Sequence, residues 1–85
     1  SSNNIITKND ILYNSSTGIE LYPSHGNTIV GNNIISNGGR GIWVSYGSSN
    51  NIISSNKIQS NGDRGIWVSV SSNYNVIVGN IISSN

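Results

Sequence analysis

Isolated apolar positions recur along this chain at fixed intervals, each set among polar residues. Ile6, Ile29, Ile53 and Ile77 are spaced by 23, 24 and 24 residues. Each is followed three residues later by an asparagine: Asn9, Asn32, Asn56 and Asn80. Two residues further on stand Ile11, Ile34, Ile58 and Ile82, and three beyond those stand Asn14, Asn37, Asn61 and Asn85. A third asparagine column, Asn4, Asn27, Asn51 and Asn75, precedes the first isoleucine by two. In the first three copies a glycine follows, Gly18, Gly41 and Gly65, and opens the triplets Ile19-Glu20-Leu21, Ile42-Trp43-Val44 and Ile66-Trp67-Val68. Chance does not hold six columns in register across nearly four copies. The chain is a tandem repeat.

Inside each unit the apolar residues alternate with polar ones over short stretches, and Asn or Gly interrupts every five to eight residues. That is the period of short strands and turns. Three strands in about 24 residues make one rung of a parallel β-solenoid. Rungs stacked about 4.8 Å apart place equivalent residues above one another. The isoleucines become an interior column. The asparagines stand at corners, where a side-chain amide can bond the next rung and satisfy turn backbone. The Gly column marks either positive φ or close approach. The turn Tyr22-Pro23-Ser24-His25-Gly26 is one residue shorter than its later counterparts, which accounts for the spacing of 23.

Composition sharpens this picture. Asn, Ser and Gly supply 43 of the 85 residues, and Ala, Met, Phe and Cys are absent. Helix formers are too few for a helical bundle. No apolar run approaches the roughly 18 residues of a membrane span. A net charge of +1 gives no electrostatic basis for binding nucleic acid or an anionic membrane. Without cysteine there are no disulfides, thiol nucleophiles or thiolate metal sites.

The segments N-T-I-V-G-N-N-I-I-S-N (27–37), N-I-I-S-S-N-K-I-Q-S-N (51–61) and G-I-W-V (41–44 and 65–68) resemble the repeats of NosD-like proteins. They are similar also to the wider carbohydrate-binding and sugar-hydrolase β-helix group. The resemblance covers essentially the whole chain. It implies an all-β, right-handed parallel β-helix with three short strands per rung and about 3.5 rungs in residues 1–85. That group includes polysaccharide-active enzymes, adhesins, phage spikes, S-layer-type proteins and a periplasmic factor of copper-enzyme maturation. Almost all are exported, so the resemblance implies an extracellular, cell-surface or periplasmic location. Three and a half rungs span only about 17 Å, and no capping segment is evident. The expectation is a stretch of a longer solenoid, or a subunit whose ends stack on other copies.

The chemistry-bearing residues gather at the Gly-strand. Its outward position carries Glu20, Trp43 and Trp67 in one column, Arg40 and Arg64 stand just before the glycines, and Asp63 and Tyr22 lie alongside. Exposed indoles bordered by Arg and Asp suit a sugar ring, whose apolar face lies on the indole while the charged groups bond its hydroxyls. These seven residues are the candidate carbohydrate-binding set, and a polysaccharide or glycan is the candidate ligand. Two alternatives stand beside that reading. In one the indoles serve stability, stacked on each other under the arginines; in the other the patch meets another protein.

Catalysis has little to work with. Glycoside hydrolysis needs two carboxylates facing one bond. Asp10 belongs to another strand column, and Glu20 and Asp63 stand about 9–10 Å apart along the axis before any lateral offset. No catalytic residue is assigned. His25, alone in a turn, is a poor metal ligand set. No residue carries the copper connection of NosD-like proteins, and no metal or cofactor is implied. The sequence thus points to a non-catalytic structural or assembly module with a possible glycan face. A carbohydrate-binding module, or a fragment of a polysaccharide-active enzyme, is the alternative.

Overall fold

A computed structural model describes residues 2–69 and 71–85. It contains eleven strands of three residues each. The first rung holds β1 (Ile5–Thr7), β2 (Asp10–Leu12) and β3 (Ile19–Leu21). The second holds β4 (Thr28–Val30), β5 (Asn33–Ile35) and β6 (Ile42–Val44), and the third β7 (Ile52–Ser54), β8 (Lys57–Gln59) and β9 (Ile66–Val68). A fourth begins with β10 (Val76–Val78) and β11 (Ile81–Ser83). The strands form three parallel sheets, β1-β4-β7-β10, β2-β5-β8-β11 and β3-β6-β9. Every pairing follows the repeat columns: Ile6 with Ile29, Ile29 with Ile53, Ile53 with Ile77. A one-residue slip would turn the isoleucine outward, so the hydrophobic pattern fixes the register.

The three walls of a rung contribute unequally to the core. In β4, β5, β7 and β8 the central residue points inward and its neighbours outward. The Gly-strand reverses this: in β6 the flanking Ile42 and Val44 are buried and Trp43 faces out. Ile29, Ile34, Ile42, Val44, Ile53 and Ile58 have no accessible surface. The second rung therefore packs four aliphatic side chains against the rungs on either side, whereas in the third Ile53 and Ile58 are enclosed and Ile66 and Val68, on the edge strand β9, are not.

A single left-handed residue turns the chain at three corners of each rung. One column is Lys8, Gly31, Ser55 and Gly79, with φ of 56, 69, 55 and 66°. The next is Tyr13, Ser36, Ser60 and Ser84, at 57, 59, 56 and 56°, and the third is Asn3, Gly26, Asn50 and Tyr74, at 58, 66, 59 and 59°. This conformation is unfavourable for residues with a Cβ. It persists because the asparagine that follows one residue later in each column locks the corner. Asn32 shows the pattern. Its backbone N–H donates to Asn56 Oδ1 at 2.9 Å, and its own Oδ1 accepts from Asn9 N at 3.0 Å. Its Nδ2 donates to Asn56 Oδ1 at 3.0 Å and to Ile6 O at 2.9 Å. The same bonds recur in the columns through Asn27 and Asn51 and through Asn37 and Asn61. These amides are almost fully buried, and their chains of bonds satisfy the turn backbone that a solenoid interior would otherwise strand.

The Gly column is explained by close approach. Gly18, Gly41 and Gly65 do not have positive φ. A Cβ on Gly18 would lie 2.6 Å from Ile34 Cγ2 and 2.8 Å from Gly41 O.

Candidate functional site

The sheet β3-β6-β9 presents its central residues outward in strict register, Glu20 beside Trp43 and Trp43 beside Trp67. Parallel pairing at one rung spacing forces the two indoles together. Their ring centroids are 5.4 Å apart and their planes 7° from parallel. Trp43 Nε1 donates to Ser69 Oγ at 3.0 Å, which fixes its ring over the following rung.

Arg40 and Arg64 leave the backbone one residue before the tight Gly positions, so their side chains run back along this wall. The Arg40 guanidinium carbon is 4.3 Å from the Trp43 ring centre and 4.0 Å from that of Trp67. Arg64 stands 4.5 Å from the Trp67 ring. Such contacts are favourable by about 0.5–2 kcal/mol, most where water is excluded. Arg40 is the more enclosed of the two arginine side chains, and its Nε is buried without a hydrogen-bond partner. The π faces of the indoles stand in for that partner. Asp63 lies between the two cations, 3.6 Å from Arg40 Nη2 and 3.6 Å from Arg64 Nη1.

Five of the seven candidate residues, Trp43, Trp67, Arg40, Arg64 and Asp63, therefore form one contiguous cluster. Glu20 borders it in the Trp column and is exposed. Tyr22 goes elsewhere. Its ring meets Tyr46, with centroids 4.5 Å apart. Ser45, which the column count places after Tyr22, is fully buried and donates its N–H to Leu21 O at 3.0 Å. The indoles are stacked and the arginines lie over their faces, so much of the flat surface a sugar ring would use is already occupied.

Asp10 and His25 have structural partners. Asp10 Oδ1 accepts from Asn33 Nδ2 at 2.8 Å on another sheet, away from Glu20. His25 Nδ1 accepts the Ser49 N–H at 3.2 Å. Among the described residues no group of three His, Cys, Asp or Glu side chains could hold a metal ion, and no helix is long and apolar enough to cross a membrane. A serine ladder was not foreseen: Ser24 N donates to Ser48 Oγ at 3.0 Å and Ser48 N to Ser72 Oγ at 3.1 Å. The only signal for it is the spacing of three serines in a chain full of serine.

The ion pairs of the cluster are long and partly exposed, so they contribute little. Asp63→Ala is expected to lower stability by no more than about 1 kcal/mol, with the difference shrinking as salt is added. Urea unfolding of both proteins at low and high ionic strength checks this. A loss of several kcal/mol would mean that Asp63 organises the cluster.

A family model described as "Right handed beta helix region" matches residues 1–85. No curated protein matches the chain, and no solved structure does.

Proposed function

Since the chain belongs to the right-handed β-helix family, we propose that it is a non-catalytic structural segment whose rungs continue into further rungs, of the same chain or of a stacked copy. The exposure of the interior column carries this reading. Ile53 and Ile58 have no accessible surface, whereas their successors Ile77 and Ile82 are 41% and 49% exposed. At the other end the first rung opens into a hollow of about 540 Å³ bordered by Ile6, Ile19 and Leu21. Aliphatic columns and backbone edges of this kind are stable when another rung covers them. The NosD-like resemblance of the repeats supports a shaft or assembly role outside the cytoplasm or on the cell surface.

Native mass spectrometry with light scattering over a range of concentrations tests the proposal. The expected result is a native mass above 9.0 kDa, from a longer chain or from concentration-dependent stacking. A cooperative folded monomer of 9.0 kDa at every concentration would overturn it.

A second reading makes the Gly-strand wall a glycan platform. It is favoured by the partly exposed indoles with Glu20, Asp63 and Arg64 at their border. Saturable quenching of Trp fluorescence by a soluble polysaccharide, lost in Trp43→Ala, supports it. No response across a panel of neutral and acidic glycans removes it.

A further inference from the structure

Tyr22 and Tyr46 lie on adjacent rungs, in the loops that leave the Gly-strand. Their ring centroids are 4.5 Å apart with planes tilted by 57°. Both remain open to solvent, at 54% and 50% exposure. The two loops are clamped at both ends. Leu21 pairs with Val44 on one side, and Ser24 N donates to Ser48 Oγ at 3.0 Å on the other. Between these anchors the first loop has Tyr22-Pro23 and the second has Ser45-Tyr46-Gly47. Pro23 restricts Tyr22 to an extended backbone. Tyr46 is left-handed at φ 53° and is followed by Gly47 at φ 76°. The extra residue in the second loop lets Ser45 stay buried while Tyr46 swings out onto Tyr22.

We propose that Tyr22 and Tyr46 are a site of oxidative dityrosine formation, a covalent staple between the first and second rungs. The co-reactant is a one-electron oxidant of the peroxidase type working with hydrogen peroxide. Each phenol gives up one electron and its phenolic proton. The two tyrosyl radicals couple through a carbon ortho to each oxygen. Each ring then loses the hydrogen on that carbon and regains its O–H, which restores aromaticity. In sum two hydrogens leave the protein and reduce one hydrogen peroxide to two waters. Linked rings sit close together with their planes twisted, an arrangement this pair nearly holds beforehand, so coupling needs no diffusional encounter. Tyr13 and Tyr74 are more exposed, at 79% and 83%, and among the described residues neither has a ring against it. They have no partner ring held in place.

The test treats dilute native protein with peroxidase and hydrogen peroxide, separates monomeric from crosslinked protein, and maps the peptides. The expected product is protein of unchanged oligomeric state, lighter by two hydrogens, with dityrosine fluorescence and a Tyr22–Tyr46 linked peptide. Tyr22→Phe or Tyr46→Phe abolishes that signal, and the double change Tyr13→Phe with Tyr74→Phe leaves it intact. Hydrogen exchange in β1–β3 slows by roughly tenfold in the linked form. Dityrosine confined to intermolecular products, or a linked peptide that survives Tyr46→Phe, overturns the proposal.

Discussion

Asn56→Ala is expected to destabilise the domain by about 3–5 kcal/mol, a large part of the stability of a chain this size. Asn56 is 1% exposed. Its Oδ1 accepts from Asn32 N at 2.9 Å and from Asn32 Nδ2 at 3.0 Å. Its Nδ2 donates to Ile29 O and to Asn80 Oδ1, both at 3.0 Å. Truncation leaves the Asn32 N–H without its acceptor and takes the amide donor from Ile29 O, in a region closed to water. Each such loss costs about 1–3 kcal/mol, and the missing amide leaves a void besides. The corner at Ser55, held at φ 55°, also loses its lock. Asn14→Ala is the matched control. Asn14 starts its column, is exposed, and uses its side chain to donate to Asn37 Oδ1 at 2.9 Å, so water can replace it and the expected loss is under about 1 kcal/mol. Chemical denaturation of both variants reads the difference. Equal, small losses would mean that the ladder is a decoration on a fold held by its isoleucines.

The same column logic sets how much could be read from the sequence. A solenoid repeats its environment every rung, so each site demands the same residue type and leaves a periodic mark. The Ile, Asn and Gly columns were visible for that reason, and with them strand number, register and the inward side of every strand. The outward Trp column and its flanking arginines were visible too, since β-period alternation from Ile42 and Val44 places Trp43 outside. The stacked state of the indoles was not. Whether Arg40 lies over the two rings or reaches into solvent depends on side-chain rotamers, to which periodicity is blind. The left-handed corners at Lys8, Tyr13 and Ser36 left no mark, because a neighbouring asparagine stabilises them and glycine is not required. Tyr46 left no mark since its place depends on a one-residue insertion: with Leu21 in register with Val44, the residue that follows in step with Tyr22 is Ser45.

The Trp–Arg cluster has a direction that bears on both functional readings. Arg40 contacts the indole of its own rung and, from the following rung, Trp67 and Asp63. Arg64 contacts the Trp and Asp of its own rung. Each arginine thus couples a rung to its successor when that successor offers an aromatic ring and a carboxylate. Within the first rung Thr17 and Glu20 occupy the corresponding positions, so the coupling begins at the second. A glycan on this wall would meet the Trp43 side nearest Glu20 more readily than the ring surfaces that Arg40 covers.

Gly41→Ala is expected to cost about 3 kcal/mol or more, although a single methyl group is added. The new Cβ would stand 2.5 Å from Gly65 O, 2.5 Å from Ile58 Cγ2 and 3.2 Å from Asn61 Nδ2. None of the three can retreat cheaply. Gly65 O accepts the Ile42 N–H at 2.8 Å and holds β6 against the next rung. Ile58 is completely buried. Asn61 Nδ2 donates to Ile34 O at 3.1 Å and to Asn85 Oδ1 at 2.9 Å. Relief therefore requires spreading two rungs along the axis, which strains the parallel sheets on either side. Gly47→Ala separates this steric demand from backbone strain. A Cβ there meets nothing within 4 Å, but φ is +76°, so the expected cost is about 1 kcal/mol. Thermal and urea unfolding of the two variants decide between the causes. A Gly47→Ala loss equal to or larger than that of Gly41→Ala would place the glycine requirement in backbone conformation. The expected order places it in the distance between rungs, the quantity that also brings Trp43 onto Trp67 and each asparagine within reach of the next.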